Sequence, residues 1–433
     1  MPIITSRLRW ALFATLCLAG VFNAMDRPII AILKPDMMAD FGWTDSDFGD
    51  LAAVTQFSAA FAFLFTGWMV DRIGVNRSMQ VGASAWSIAA MAHGWATTMW
   101  QVVAARVGLG VTEAVQTPLT IKTVATLFEP DRRSFAFGVS TFVASVGTIS
   151  IPFIIPFLAA AFGWRGALVA GGIGGFISLA LWLWLARGLS FALPEGEKTG
   201  DGKLASLDSV RSTGVMEALR DNFLALVQFF NDRKLWAIFI AKAISDMTWW
   251  LLNFWLADYY RKEFGLSTLE LAVPLGIAFA GSGVGALFAG WLSSRLLGAG
   301  WPVNRVRKTV MLVSALIVLP LPFVLQLNAF WPVAIMMGVV MAGHQGFSLS
   351  IFSIITDVVP NAKVARVTAF GAFMGNMGGV AISLIAGRVL DAGFGFGPLF
   401  LIAACSYLVA LAWLHLLMPN IRRSDGALSS VTG

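Results

Sequence analysis

The chain has 433 residues, 58% hydrophobic and only 12% charged, with a mean hydropathy of +0.77. Soluble domains run near a quarter charged, so a single aqueous core would leave large apolar areas exposed, and lipid is the consistent solvent. The formal net charge of +6 does not point to nucleic acid, because the basic residues sit in short connections between apolar runs.

A spanning helix needs about 20 mostly apolar residues. Stretches of that kind lie near 10–33, 48–70, 79–98, 101–122, 136–160 and 166–187. After a polar stretch they resume near 235–257, 272–294, 308–327, 331–354, 364–388 and 396–418. Asp26 and Arg27 interrupt the first run where a signal peptide would end in small residues, so no cleaved leader is expected there. The pattern predicts an all-α membrane protein of about twelve transmembrane helices: a first set over 1–189, a linker over 190–234 and a second set over 235–433. Within the linker, Val215 to Phe230 is amphipathic and predicts a surface helix at the membrane.

Lys and Arg set the orientation. The connections after odd-numbered spans hold few: Lys34, Arg165, Arg261 and Lys262, and Arg388. The opposite side holds Arg7, Arg9, Arg72, Arg77, Arg132, Arg133, Arg295, Arg305, Arg307, Lys308, Lys363, Arg366, Arg422 and Arg423. Both termini and the linker are therefore expected in the cytoplasm, in a plasma (inner) membrane. The first outer connection, with Asp36, Asp40, Asp45 and Asp47, is acidic and does not count in this rule. Cys17 and Cys405 lie far apart in apolar stretches and suggest neither a disulfide framework nor a metal site.

One unit recurs. The second span ends in Gly67-Trp68-Met69-Val70-Asp71-Arg72-Ile73-Gly74, followed by Arg77. The eighth ends in Gly290-Trp291-Leu292-Ser293-Ser294-Arg295, followed by Arg305, Arg307 and Lys308. The glycines are expected to let helices touch, and the charges to cap helix ends and pair across a gate. The first of these stretches resembles the hallmark loop of the major facilitator superfamily, and Arg106-Val107-Gly108-Leu109-Gly110-Val111-Thr112-Glu113 resembles that superfamily's second motif. The resemblance covers essentially the whole chain and implies two six-helix bundles around a cavity that opens alternately to each side.

Ionisable residues inside spans are costly and mark function by default. Asp26 and Arg27 lie in the first span, Arg106 and Glu113 in the fourth, the latter two on one helical face. A guanidinium fork binds both oxygens of a carboxylate, and a carboxyl group held away from water takes up protons readily. One fixed cation with titratable acids is the minimum machinery of an anion–proton symporter; structural ion pairs that fix helix packing are the competing reading. The constellation resembles the anion:cation symporter branch of the superfamily. That resemblance implies substrate binding by Arg106 and proton carriage by Asp26 and Glu113, with Arg27 as the switchable partner of the acids.

In the seventh span, Asn231 to Trp236 and then Lys242, Asp246, Trp249, Asn253, Phe254 and Trp255 resemble hexuronate permeases. So do Gly343-His344-Gln345 and Thr356-Asp357-Val358. Lys242 and Asp246 stand four apart and are placed to pair. Asn253 and Gln345 suit sugar hydroxyls, with Trp249 as a weaker candidate, and His344 offers a proton shuttle or a plain hydrogen-bonding residue. The resemblance breaks in the second span. Those permeases carry Tyr and Gln there, where this chain has Ala59 and Phe63, which makes aromatic or short apolar acids serious competitors. Glycines at 281, 283 and 285, and at 371, 375, 378 and 379, predict helix crossings.

The spans hold no His/Asp metal cluster, serine elbow or phosphate-cradling loop, so neither an enzyme nor a cofactor is expected. Single-copy charges differ from the repeated rings of a channel. The expected function is proton-coupled import of small organic anions, hexuronates or related sugar acids first and aromatic or other monocarboxylates second, by a monomer in the bilayer. A multidrug exporter of the same fold is a third reading, set back by Gly147, Pro152 and Pro156 in place of the exporter motif.

Overall fold

A computed structural model describes residues 5–187, 220 and 232–421, which form helices joined by short turns, with no strand among them. The helices are α1 (Ser6–Phe41), α2 (Asp45–Ala92), α3 (Met99–Glu113), α4 (Gln116–Leu127), α5 (Pro130–Leu185), α6 (Arg233–Phe264), α7 (Ala272–Gly298), α8 (Val303–Val318), α9 (Phe330–Val358), α10 (Asn361–Asp391) and α11 (Gly397–Leu417). Nine described segments are long and apolar enough to cross a membrane. Two of these, in α2 and α5, are each a pair of helices joined at one residue: Gly74 (φ 78°, ψ 167°) and Gly163 (φ 70°, ψ 174°). Dividing both pairs, and taking α3 with α4 as one further pass, gives about twelve passes, as expected. Only glycine enters that backbone region without strain, so the connection expected near 71–78 shrinks to one residue.

Local chemistry sets several helix starts. Thr98 and Gln101 form a reciprocal capping box at α3, and Asp232 accepts from the Lys234 backbone at 2.8 Å to start α6. Such caps are worth about 0.5–2 kcal/mol each. Helix α1 runs for 36 residues, about 54 Å at 1.5 Å per residue, well beyond the bilayer's apolar core of about 30 Å. It therefore takes in Lys34, Asp36 and Asp40, which were expected in a loop. The reason is burial: residues from Ile29 to Lys34 and Met37 are shielded by tertiary packing, which carries the helix past the end of its apolar run.

By packing, the chain divides into two compact units. One comprises Met1–Met37 and Ser58–Leu224, the other Met38–Phe57 and Ala225–Gly433. The amphipathic stretch expected over 215–230 lies outside the described residues, Arg220 apart. The first unit has a core of Leu12, Phe13, Leu16, Trp86, Leu109, Leu119 and Trp182, and the Trp182 indole donates to Asn76 Oδ1 at 2.9 Å. Large apolar side chains such as Trp100, Phe157 and Leu287 stay on the surface, where lipid is their solvent.

In the second unit, small residues bring helix backbones together. A Cβ at Gly281 or Gly285 would collide with the α9 backbone, and one at Gly378 with the α6 backbone. Gly283 meets nothing and Gly371 only Ile355 at 3.9 Å, so those two expected crossing points are not crossings here. The segment 38–57 is bound into this unit by charge. Lys262 Nζ lies 2.6 Å from Asp45 Oδ2 and 3.2 Å from Asp258 Oδ2, and Arg388 Nη1 lies 3.0 Å from Asp50 Oδ1. The Asp391 carboxylate accepts from the Asp45 and Ser46 backbone N–H groups at 2.9 and 2.8 Å. It thereby caps α2 from another helix, where the helix dipole favours negative charge.

Candidate functional site

The first unit gathers all four ionisable residues expected in α1 and α3. Arg106 is fully buried, Asp26 and Glu113 nearly so. Arg27 Nε donates to Glu113 Oε2 at 3.1 Å, and Arg106 Nη1 donates to the Asp26 backbone carbonyl at 3.0 Å. Arg106 Nε and Nη2, Asp26 Oδ1 and Glu113 Oε1 are buried without a hydrogen-bond partner among the described residues. A buried polar group left unpaired costs about 1–3 kcal/mol, and four such atoms in one cluster make it a candidate site. Asp26 also forms part of the wall of a cavity of about 310 Å³, whose other lining is mainly apolar, including Phe22, Val146, Ile154 and Leu158.

The backbone breaks beside this buried cluster. The fourth span, expected to be continuous, breaks at Ala114–Val115 directly after Glu113. Pro118 supplies the reason, since it has no N–H to reach the Ala114 carbonyl four residues back. Asn23 Nδ2 donates to the Glu113 carbonyl at 3.4 Å, tying the break to α1.

The repeated unit makes the same contact twice. Arg72 lies over the Trp68 ring at 5.4 Å and Arg295 over the Trp291 ring at 5.3 Å. Around it the ion pairs differ. Asp71 meets Lys122 Nζ at 2.9 Å, whereas in the second unit Arg307 meets Asp357 at 2.8 Å and donates to Ser293 Oγ at 2.8 Å. Gly74 forms the kink described above. Among the described residues, Gly67 and Gly290 bring no helices together, because a Cβ on either would meet nothing within 4 Å. Arg77 belongs to the second half of α2.

In the second unit, α6 and α9 carry the expected polar residues. The Trp249 ring stacks on His344 at 5.1 Å, and His344 Nδ1 shares a hydrogen bond of 2.8 Å with the Tyr407 hydroxyl. Asn253 is buried and donates to the Trp249 carbonyl of its own helix at 2.8 Å. Gln345 is half-buried beside His344. Lys242 and Asp246 do pair, at 2.8 Å. Sequence reasoning passed over Lys122, Tyr407, Ser348 and Gln56. The last is buried and donates to Asn376 Oδ1 at 3.2 Å within the same unit, a polar pair only three residues before Ala59.

Comparison with known proteins agrees with this layout. Residues 16–343 match the sequence profile described as Major Facilitator Superfamily. The chain belongs to the major facilitator superfamily. Among this superfamily member's relatives is the D-galactonate transporter of Escherichia coli O6:H1, 26% identical over 431 residues, covering 96% of this chain and 97% of that one. The hexuronate transporter of Escherichia coli K12 is 22% identical over 421 residues, covering 95% and 94%. The fold is that of a solved D-xylose–proton symporter, with a TM-score of 0.70 at 14% identity, covering 96% of this chain and 99% of that one. This is a multi-pass membrane protein of a transporter family.

Proposed function

We propose that the protein is a proton-coupled symporter that imports sugar acids, hexuronates or aldonates, by alternating access between two six-helix bundles, with both termini in the cytoplasm. The observation that carries this reading is the state of Arg106. It is fully buried with two of its guanidinium nitrogens unpartnered, beside two buried carboxyl groups. In this reading Arg106 holds the substrate carboxylate. Asp26 and Glu113 take protons, and protonation of Glu113 releases Arg27. The relatives named for D-galactonate and hexuronates support the substrate class. Asn253, Gln345, Trp249 and His344 form the second unit's polar contribution, and Gln56 with Asn376 offers hydroxyl partners that Ala59 and Phe63 do not.

A second reading, aromatic monocarboxylates, draws on the largely apolar cavity beside Asp26. Proteoliposome uptake separates the two. Inward acid-driven accumulation of labelled D-galactonate or glucuronate, with weak competition from benzoate, is the expected result. Uptake driven equally well without a proton gradient, or blocked by benzoate and not by either sugar acid, overturns it.

A further inference from the structure

The Lys242–Asp246 pair has no place in the mechanism above, yet among the described residues of the second unit it is a closely enclosed ion pair, its side chains only 8% and 10% exposed. Lys242 Nζ lies 2.8 Å from both carboxylate oxygens of Asp246, donates to Ser348 Oγ of α9 at 2.9 Å, and sits 4.9 Å from the Phe352 ring centre. All three ammonium protons thus have acceptors. Asp246 presses against α10 at Gly375, where a Cβ would collide with Oδ2. The pair therefore joins α6 to α9 and α10.

Stability does not account for such a pair, because well-packed apolar residues of similar volume serve a buried site as well or better. Its position points elsewhere. Lys242, Asp246, Trp249 and Asn253 recur at 4, 3 and 4 residues, which lines one face of α6. That face runs beside His344 and Ser348 of α9, and both charged side chains keep a small exposed area, 8% and 10%. The pair is continuous with the polar strip already assigned to substrate. Among the described residues, the other titratable groups in electrostatic reach are His344, which faces Lys242, and Tyr407, which faces Asp246; from α10, Gly375 packs against the Asp246 carboxylate.

We propose that Lys242 is a second anion-binding cation, masked by Asp246, and that a proton taken from water by Asp246 unmasks it for the carboxylate of the transported acid. The neutral Asp246 no longer balances the ammonium, and a buried cation without a counter-charge recruits an anion. In the part of the cycle when Arg106 does not hold it, the acid's single carboxylate replaces Asp246 as that counter-charge, so proton and substrate are bound together at this pair. The proposal rests on the reading of the protein as a sugar-acid symporter.

The test measures D-galactonate affinity against pH, and protons taken up on binding, for purified wild type, Asp246→Asn and the double variant Lys242→Gln/Asp246→Asn. Asp246→Asn leaves the cation permanently unmasked. It is expected to bind D-galactonate at least about fivefold more tightly than wild type at alkaline pH, and to take up about one proton fewer. A pair that only holds helices together would lose affinity on Asp246→Asn and would not gain it. The double variant carries no unpaired buried charge, so it is expected to fold even where the single one does not. It is expected to bind more weakly than wild type and to lose the same proton. Wild-type affinity and proton count in the double variant overturn the proposal, as does an Asp246→Asn variant that folds and binds no more tightly. Failure of wild type itself to bind any sugar acid brings down the symporter reading and the proposal with it, so the two failures are distinct.

Discussion

Arg106 and Lys242 are both buried cations, but only Lys242 has its donors filled. Arg106 has two nitrogens left over, and a planar fork with free donors matches a carboxylate in a way a point charge does not. Arg106→Lys should therefore raise KM for the transported acid tenfold or more, since a hydrogen bond to a charged group contributes about 1.5–3 kcal/mol. An unchanged KM in uptake assays removes Arg106 from substrate binding. Glu113 is held by Arg27 at 3.1 Å, and Glu113→Gln should abolish accumulation against a gradient while leaving exchange of substrate across the membrane. Accumulation retained in both Glu113→Gln and Asp26→Asn would move proton carriage elsewhere. These four residues are legible in the sequence because a charge inside an apolar run is conspicuous. Ser348, Tyr407 and Gln56 are not, since an uncharged polar side chain in a span is ordinary, and only the fold shows which of them faces a partner.

At the scale of the helix, the sequence marks where spans lie better than where they bend. Apolar runs placed the passes, but the interruption after Glu113 is written only in Pro118, inside what looks like one continuous span. Helix α1 likewise outlasts its apolar run because packing, which no local pattern encodes, buries Lys34. Gly67 and Gly74 belong to one motif, yet they differ physically. Gly74 has φ 78° and ψ 167°, a region that costs other residues about 1–3 kcal/mol, whereas a Cβ on Gly67 meets nothing within 4 Å. Gly74→Ala should lower the apparent unfolding temperature in detergent, and Gly67→Ala should leave it unchanged. Equal effects from both would show that the kink is not what Gly74 is for.

At the scale of the whole molecule, the distribution of Lys and Arg leads us to propose that both termini lie on the cytoplasmic side. Alkaline phosphatase fused at the C-terminus should be inactive, and the same enzyme inserted in the connection between Trp95 and Met99 should be active; the reverse pattern would invert the molecule. The cap that Asp391 places on the start of α2 has a consequence for how the chain is made. Asp45 and Asp391 stand 346 residues apart, and Asp45 and Lys262 stand 217 apart. At about 5–20 residues per second, the ribosome needs roughly 17–70 s after making Asp45 before the residue that caps it exists. For that interval the Asp45 and Ser46 backbone N–H groups lack the Asp391 carboxylate, while Asp47 already has Thr44 beside it. The segment 38–57 is among the earliest parts of the protein to be synthesised and among the last to be finished.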